Sequence, residues 1–320
     1  MSGTGSASEG GLKELRGRQG RSATTIHGWP ALLFGLPFVG VGVTGVVLFV
    51  TGSVPKDAPR SMVLWFGVVF GLAGISLVGH GIRGLLRRRR VAERRERHPE
   101  EPWLWDYDWP RHGVTDRAGR AVVKAFVGAA AFVVFLIPFN WIGLGGLGDV
   151  PGIAIWMLVV GLFDLITAGM IGYAVYLLLR YLKYGTSTLA FERFPFHLGE
   201  DMVVRFQASG GGAGFDRVAA KLICVEERYE TRGSGKNRSQ RVVCYERYAA
   251  SLLIDDARSR WEGRRGLTLR FTPPRDGPPT RLSERPALFW VVDVEAEVPG
   301  VDYRGSFLVP VYGRPVALTR

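Results

Sequence analysis

Side chains able to do chemistry are sparse in this sequence and fall in two places. Asp164, in Phe163-Asp164-Leu165, and His80 lie inside long apolar runs. An ionisable group in hydrocarbon costs at least ~2.5–3.5 kcal/mol, so each is a candidate for holding or passing a proton or cation. Asp164 would be the acid, near the middle of its run, and Ser76, one helical turn from His80, is the group best matched to it in depth. The plainer reading is a carboxyl kept neutral by desolvation and hydrogen-bonded to Ser76 or Thr167. Transporters combine paired carboxylates, broken helices or internal repeats, and a single acid falls short of that pattern. The second place is Cys224 and Cys244, equidistant from Ser234 on the arms of a long hairpin and so candidate cross-strand neighbours. They are read as a disulfide or redox pair, or, in the reducing compartment expected below, as two buried thiols. No HExxH, CxxC, GxSxG or His-rich cluster is present, and Gly210-Gly211-Gly212-Ala213-Gly214 lacks the strand, helix and Lys-Ser/Thr of a phosphate loop. The expectation is a non-enzyme with no catalytic residue, no metal and no cofactor.

The elements that must hold these residues follow from hydropathy. The chain has 320 residues, a net charge of +12 and a mean hydropathy of +0.10, but these averages hide two unlike parts. Residues 1–185 carry +8 of the charge and every apolar run near ~20 residues, the length that crosses a ~30 Å hydrocarbon layer as a helix. Four spans are predicted: Trp29–Thr51, Met62–Leu86, Ala121–Ile142 and Ile153–Leu179. Arg83 and Lys124 fall near span ends and can snorkel. Small residues at four-residue spacing, Ala31 and Gly35, Gly67 and Gly71, Ala125 and Ala129, Ala168 and Gly172, are expected to pack the bundle, and the same pattern is compatible with a homodimer. Arginine and lysine crowd the tail before the first span, the loop between the second and third, and the exit of the fourth. The positive-inside rule then puts both termini and the 87–120 loop in the cytoplasm. Residues 1–26, polar and rich in Gly, Ser and Thr, are expected to be a disordered tail.

The 87–120 loop opens with the basic run Arg87–Arg97, expected to meet the bilayer's anionic headgroups. It continues through the aromatic-acidic alternation Trp103, Trp105, Tyr107, Trp109, read as an extended segment that sits at headgroup level or docks on another domain. The arginines are explained by topology, so no nucleic-acid partner is expected. From residue 186 to 320 the period becomes that of strands, near Ser187–Arg193, Met202–Gln207, Val218–Glu230, Gln240–Ile254, Gly266–Thr272, Ala287–Val298 and Tyr303–Val311. Such a series with Gly/Pro-rich turns predicts an all-β antiparallel sandwich behind an all-α membrane bundle.

Two stretches carry a resemblance. His98-Pro99-Glu100-Glu101-Pro102-Trp103-Leu104-Trp105 with Trp109, and Arg180-Tyr181-Leu182-Lys183-Tyr184-Gly185-Thr186-Ser187-Thr188-Leu189, resemble an uncharacterised family of bacterial multi-pass membrane proteins. The ending Phe289-Trp290-Val291-Val292-Asp293-Val294-Glu295-Ala296 and Val309-Pro310-Val311-Tyr312 is similar to arrestin-like sandwiches. The resemblance implies a bacterial membrane protein with a sandwich of arrestin- or immunoglobulin-like class and brings no activity or catalytic residue. With the cytoplasmic placement set by charge, the expectation is a non-catalytic inner-membrane scaffold whose sandwich engages a protein partner. The alternative expectation is a small proton- or ion-coupled transporter using Asp164 and His80.

Overall fold

The computed structural model describes residues 12–18, 20–22, 28–55, 59–116, 118–144, 153–209, 215–232, 238–297 and 302–314. Its chain divides into two units, one helical (residues 25–92 and 122–177) and one built of β-sheet (1–24, 93–121 and 178–320). Each is taken by itself.

Four helices follow the apolar runs: α1 Trp29–Val50, α2 Arg60–Arg97, α3 Ala118–Leu144 and α4 Ile153–Tyr184. All four are long and apolar enough to cross a membrane, with mean hydropathy from 2.1 to 2.3 in their most apolar windows. Second among them, α2 runs past the expected end at residue 86 through all of Arg87–Arg97, because arginine is a good helix former; His98-Pro99 stops it. α1 and α2 meet through glycine. A methyl group on Gly42 would stand 2.5 Å from the Gly71 nitrogen and 2.9 Å from the Gly67 carbonyl oxygen, so the two backbones touch there. Ala31, Gly35, Gly67 and Ala129 are buried as the small-residue spacing predicts. Ala168 and Gly172 are not, since the buried positions among the described residues of α4 are Val160, Thr167, Ala174 and Tyr184. The expectation that this pair packs the bundle is therefore corrected.

In the β unit each expected strand has a counterpart: β3 Ser187–Phe191, β5 Met202–Ala208, β6 Arg217–Arg232, β7 Ser239–Ile254, β8 Leu267–Phe271, β9 Leu288–Glu297 and β10 Tyr303–Val309. Four short strands were not expected: β1 Lys13–Glu14, β2 Gly113–Thr115, β4 Phe196–His197 and β11 Val311–Tyr312. They complete a five-stranded antiparallel sheet ordered β1-β7-β6-β9-β10, a four-stranded antiparallel sheet ordered β2-β3-β5-β8, and a small parallel pair of β11 with β4. Alternate residues of β5 and β8 (Met202, Val204, Phe206, Leu267, Leu269, Phe271) are buried in one cluster with Leu222, Cys224, Trp290, Val292 and Phe307 of the larger sheet. The alternation is the period-2 pattern of strands with one face inward.

The run Leu288–Val292 in β9 is buried on both faces. Its second face joins Ile223, Val225, Cys244 and Leu308 under a cover made by Leu15, Tyr107, Trp109 and Leu282. A strand covered on both sides needs a continuous apolar run, which is what the sequence has there. The cover includes part of the tail expected to be disordered. Lys13 and Glu14 pair with Glu246 and Tyr245, Leu15 N–H donates to the Cys244 carbonyl at 2.9 Å, and Arg18 forms an ion pair with Asp293. Residues 12–18 and 20–22 are therefore corrected to an ordered segment of the β unit. A single apolar anchor and paired charges hold it, too few residues to leave a periodic signal.

The hairpin register also differs from the expectation. Cys224 stands opposite Tyr248 and Cys244 opposite Glu227, with a bulge between Cys224 and Val225. Three positions apart along β6, the two thiols fall on opposite faces of the sheet, Cys224 in the inner core and Cys244 under the outer cover. Both are free and buried, and desolvation pushes them up to about 12 and about 11. Cross-strand pairing is thus ruled out by register, and each thiol stays protonated at neutral pH.

Candidate functional site

Within the β unit the most constrained polar constellation is centred on Asp106. Residues 98–112, which leave α2, do not form the extended segment expected from aromatic-acidic alternation. Pro102–Leu104 makes a single 3₁₀ turn and the chain bends through Tyr107. Asp106 is the reason. Its side chain is buried and accepts the Leu282 N–H at 2.9 Å, the Ser283 N–H at 2.6 Å and the Tyr312 hydroxyl at 3.1 Å. Trp109 Nε1 donates to the same tyrosine oxygen at 2.8 Å. Burial, then the neighbouring Asp106 carboxylate, holds the Tyr312 phenol well above its ordinary pKa, so its proton stays in place as a donor.

All four aromatic candidates lie within this unit. Trp103 packs edge-on against His197 and Tyr312, and Tyr107 packs against Trp109 at 4.9 Å between centroids. Trp105 donates its N–H to the His98 carbonyl at 3.0 Å, under the Arg95 guanidinium 5.1 Å from its ring. The rings therefore serve a docked segment. Sequence reasoning found them and passed over Asp106 and Tyr312, which bind the segment down. An acid between two aromatic residues was the available signal.

A second buried acid, Glu227, fixes the N-terminal segment in the same manner. It accepts the backbone N–H groups of Arg21, of Ser22 at 2.9 Å and of Ala287 at 3.3 Å. Ser22 Oγ also accepts the Ala287 N–H at 3.0 Å. One carboxylate thus ties residues 20–22 to the start of β9.

In the helical unit, Asn140 is the partner of Asp164. Its Nδ2 donates to Asp164 Oδ1 at 3.0 Å, joining α3 to α4. The expected partners are not used: the Thr167 hydroxyl donates to the Phe163 carbonyl at 2.8 Å within its own helix, and Ser76 and His80 lie on exposed parts of α2. Asp164 and Asn140 open on a cleft of about 490 Å³ walled by Val133, Leu136 and Ile137, with neither Ser76 nor His80 in its lining. A small cation needs more oxygen ligands than an Asp–Asn pair offers, and the cleft adds Thr167 alone as a side-chain oxygen. Asn140, in Phe139-Asn140-Trp141, carries no charge and so lacks the signal that marks Asp164 in an apolar run.

The Asp106 and Glu227 contacts dock segments of the chain onto the β unit. No family model matches the sequence. No curated protein matches it either. Among solved structures, the sporulation control protein Spo0M from Bacillus subtilis matches with 14% identity and a TM-score of 0.26 over 40% of this chain. The matched region spans 49% of that protein, about half its length. So loose a likeness carries no argument about activity.

Proposed function

We propose that the chain is a multi-pass protein of the bacterial inner membrane that presents a cytoplasmic, arrestin-like β-sandwich as a non-catalytic scaffold for a protein partner. The observation carrying this reading is that one chain joins four helices long and apolar enough to cross a membrane to a β unit, with four connections between the two. The segments beside two of those connections are themselves sealed into the β unit by Glu227 and Asp106. Membrane residence is supported by the many large apolar side chains the helices leave uncovered, among them Leu33, Leu158 and Leu165 at 68, 71 and 70% exposure. Soluble proteins rarely carry so continuous an apolar surface. The cytoplasmic assignment rests on the arginines of the tail, the 87–120 loop and the α4 exit.

The Asp164–Asn140 pair favours a second reading, a proton- or ion-coupled transporter. Reconstituted liposomes separate the two. For the scaffold, proton and sodium flux should equal that of empty vesicles, in the wild type and in Asp164→Asn alike. Flux in the wild type that Asp164→Asn abolishes would overturn the scaffold in favour of transport. A partner should be sought with the full chain, since a fragment beginning at residue 186 lacks β1, β2 and the Asp106 segment.

A further inference from the structure

A cleft of about 730 Å³ lies wholly within the β unit, walled by the aromatic segment, β2 and the start of α3. Its charges are unequal. Four arginines, Arg21, Arg94, Arg111 and Arg120, line it against two carboxylates, Asp108 and Asp116. Much of this is already committed. Arg94 pairs with Asp108 at 2.7 Å, Arg21 lies over the Phe289 ring at 5.1 Å, and Asp116 accepts the Ala118 N–H. What remains is a set of donors with no acceptor among the described residues: the guanidinium groups of Arg111 and Arg120, the Thr115 hydroxyl and the Trp103 indole N–H.

Two guanidinium forks with a hydroxyl and an indole N–H match one chemistry well, that of a tetrahedral oxyanion bearing several acceptor oxygens. A carboxylate would use fewer of these donors, and a cation would be repelled. We propose that this cleft binds a phosphate group, supplied on the membrane by the headgroup of an anionic phospholipid. Arg120 precedes the apolar run of α3 by one residue, so along the chain it stands where headgroups begin. Of the basic run only Arg94, already paired with Asp108, lines the cleft; none of Arg87, Arg88, Arg89 and Arg90 does. The lipid source rests on the membrane reading above, whereas phosphate binding does not.

The test uses the full chain in neutral detergent with three ligands: a phosphatidate, phosphatidylcholine and inorganic phosphate. Bound lipid is read by native mass spectrometry and phosphate by calorimetry. Wild type should retain phosphatidate over phosphatidylcholine by about tenfold or more, a difference near 1.4 kcal/mol. The double variant Arg111→Gln/Arg120→Gln should lose that preference, while Arg88→Gln/Arg89→Gln should keep it within about twofold, as expected for solvated surface charges. Both cleft arginines are exposed, so their replacement should leave the near-ultraviolet circular dichroism unchanged. Phosphate binding that needs Arg111 and Arg120 without any lipid preference would keep the site and assign it a soluble phosphate ester. Absence of binding to either ligand, or loss in the Arg88/Arg89 variant with retention in the cleft variant, would overturn the proposal and leave the liposome result untouched.

Discussion

Replacing Asp106 by alanine is expected to lower the stability of the β unit by about 3 to 5 kcal/mol and to release residues 98–112. Two backbone N–H groups and a phenol would lose their acceptor in a buried place, and an unsatisfied buried donor costs ~1–3 kcal/mol. Asparagine would be little better. The Ser283 N–H approaches Oδ1 while the Leu282 N–H and Tyr312 hydroxyl approach Oδ2, so an amide NH₂ in either orientation meets a donor. Tyr312→Phe should cost less, about 1 to 2 kcal/mol, because Asp106 keeps both backbone partners and only the Trp109 N–H loses its acceptor. Chemical denaturation of the full chain followed by tryptophan fluorescence gives the order, and trypsin cutting after Arg111 reports release of the segment. Equal stability of Asp106→Ala and wild type would show that water replaces the carboxylate and that the aromatic rings alone hold the segment.

The second large effect is an asymmetry between two glycines that face each other. Gly42→Ala should separate α1 from α2, since the new methyl would press on the Gly71 backbone, which has no rotamer with which to give way. Overpacking of this kind costs about 1 to 3 kcal/mol. Gly71→Ala places its methyl 3.6 Å from the Gly42 Cα, an ordinary contact, and should be neutral within about 0.5 kcal/mol. Thermal unfolding in detergent should show a clear drop in Tm for the first and none for the second. If both variants fall equally, the helices do not cross where the structure places them.

Much of this architecture is legible in the sequence because it repeats. Hydropathy over twenty or more residues marks α1 to α4, and alternation in Met202–Gln207 or Gly266–Thr272 marks β5 and β8. What escapes is whatever has no period. β1 and β2 contain two and three residues, and their pairing with β7 and β3 is set by partners far along the chain. Asp106 and Glu227 escape for a related reason: their donors belong to residues 176 to 206 positions away, or in one case 60. A carboxylate that serves backbone N–H groups leaves no trace at the donor's end, where any residue but proline can supply the bond. The Cys224 and Cys244 register failed on the centre of the hairpin: the pairs from Arg232 with Ser239 to Val225 with Glu246 are centred between residues 235 and 236 and not on Ser234, and the bulge moves Cys224 one residue further. Asn140 is uncharged, so the rule that marks an ionisable group in an apolar run passes it by.

The four passages between units also impose an order on synthesis. Glu14 leaves the ribosome 231 residues before Tyr245, the residue it pairs with. At ~5–20 residues per second that interval is on the order of 10 to 50 s. Through it the N-terminal segment has no sheet to join, and the helices are made in the meantime. Glu227, which fastens Ser22, is itself made late, and Ala287, the other donor in that latch, later still. Residues 12–18 and 20–22 are therefore among the last to find their place, and the long β7 edge is incomplete until they arrive.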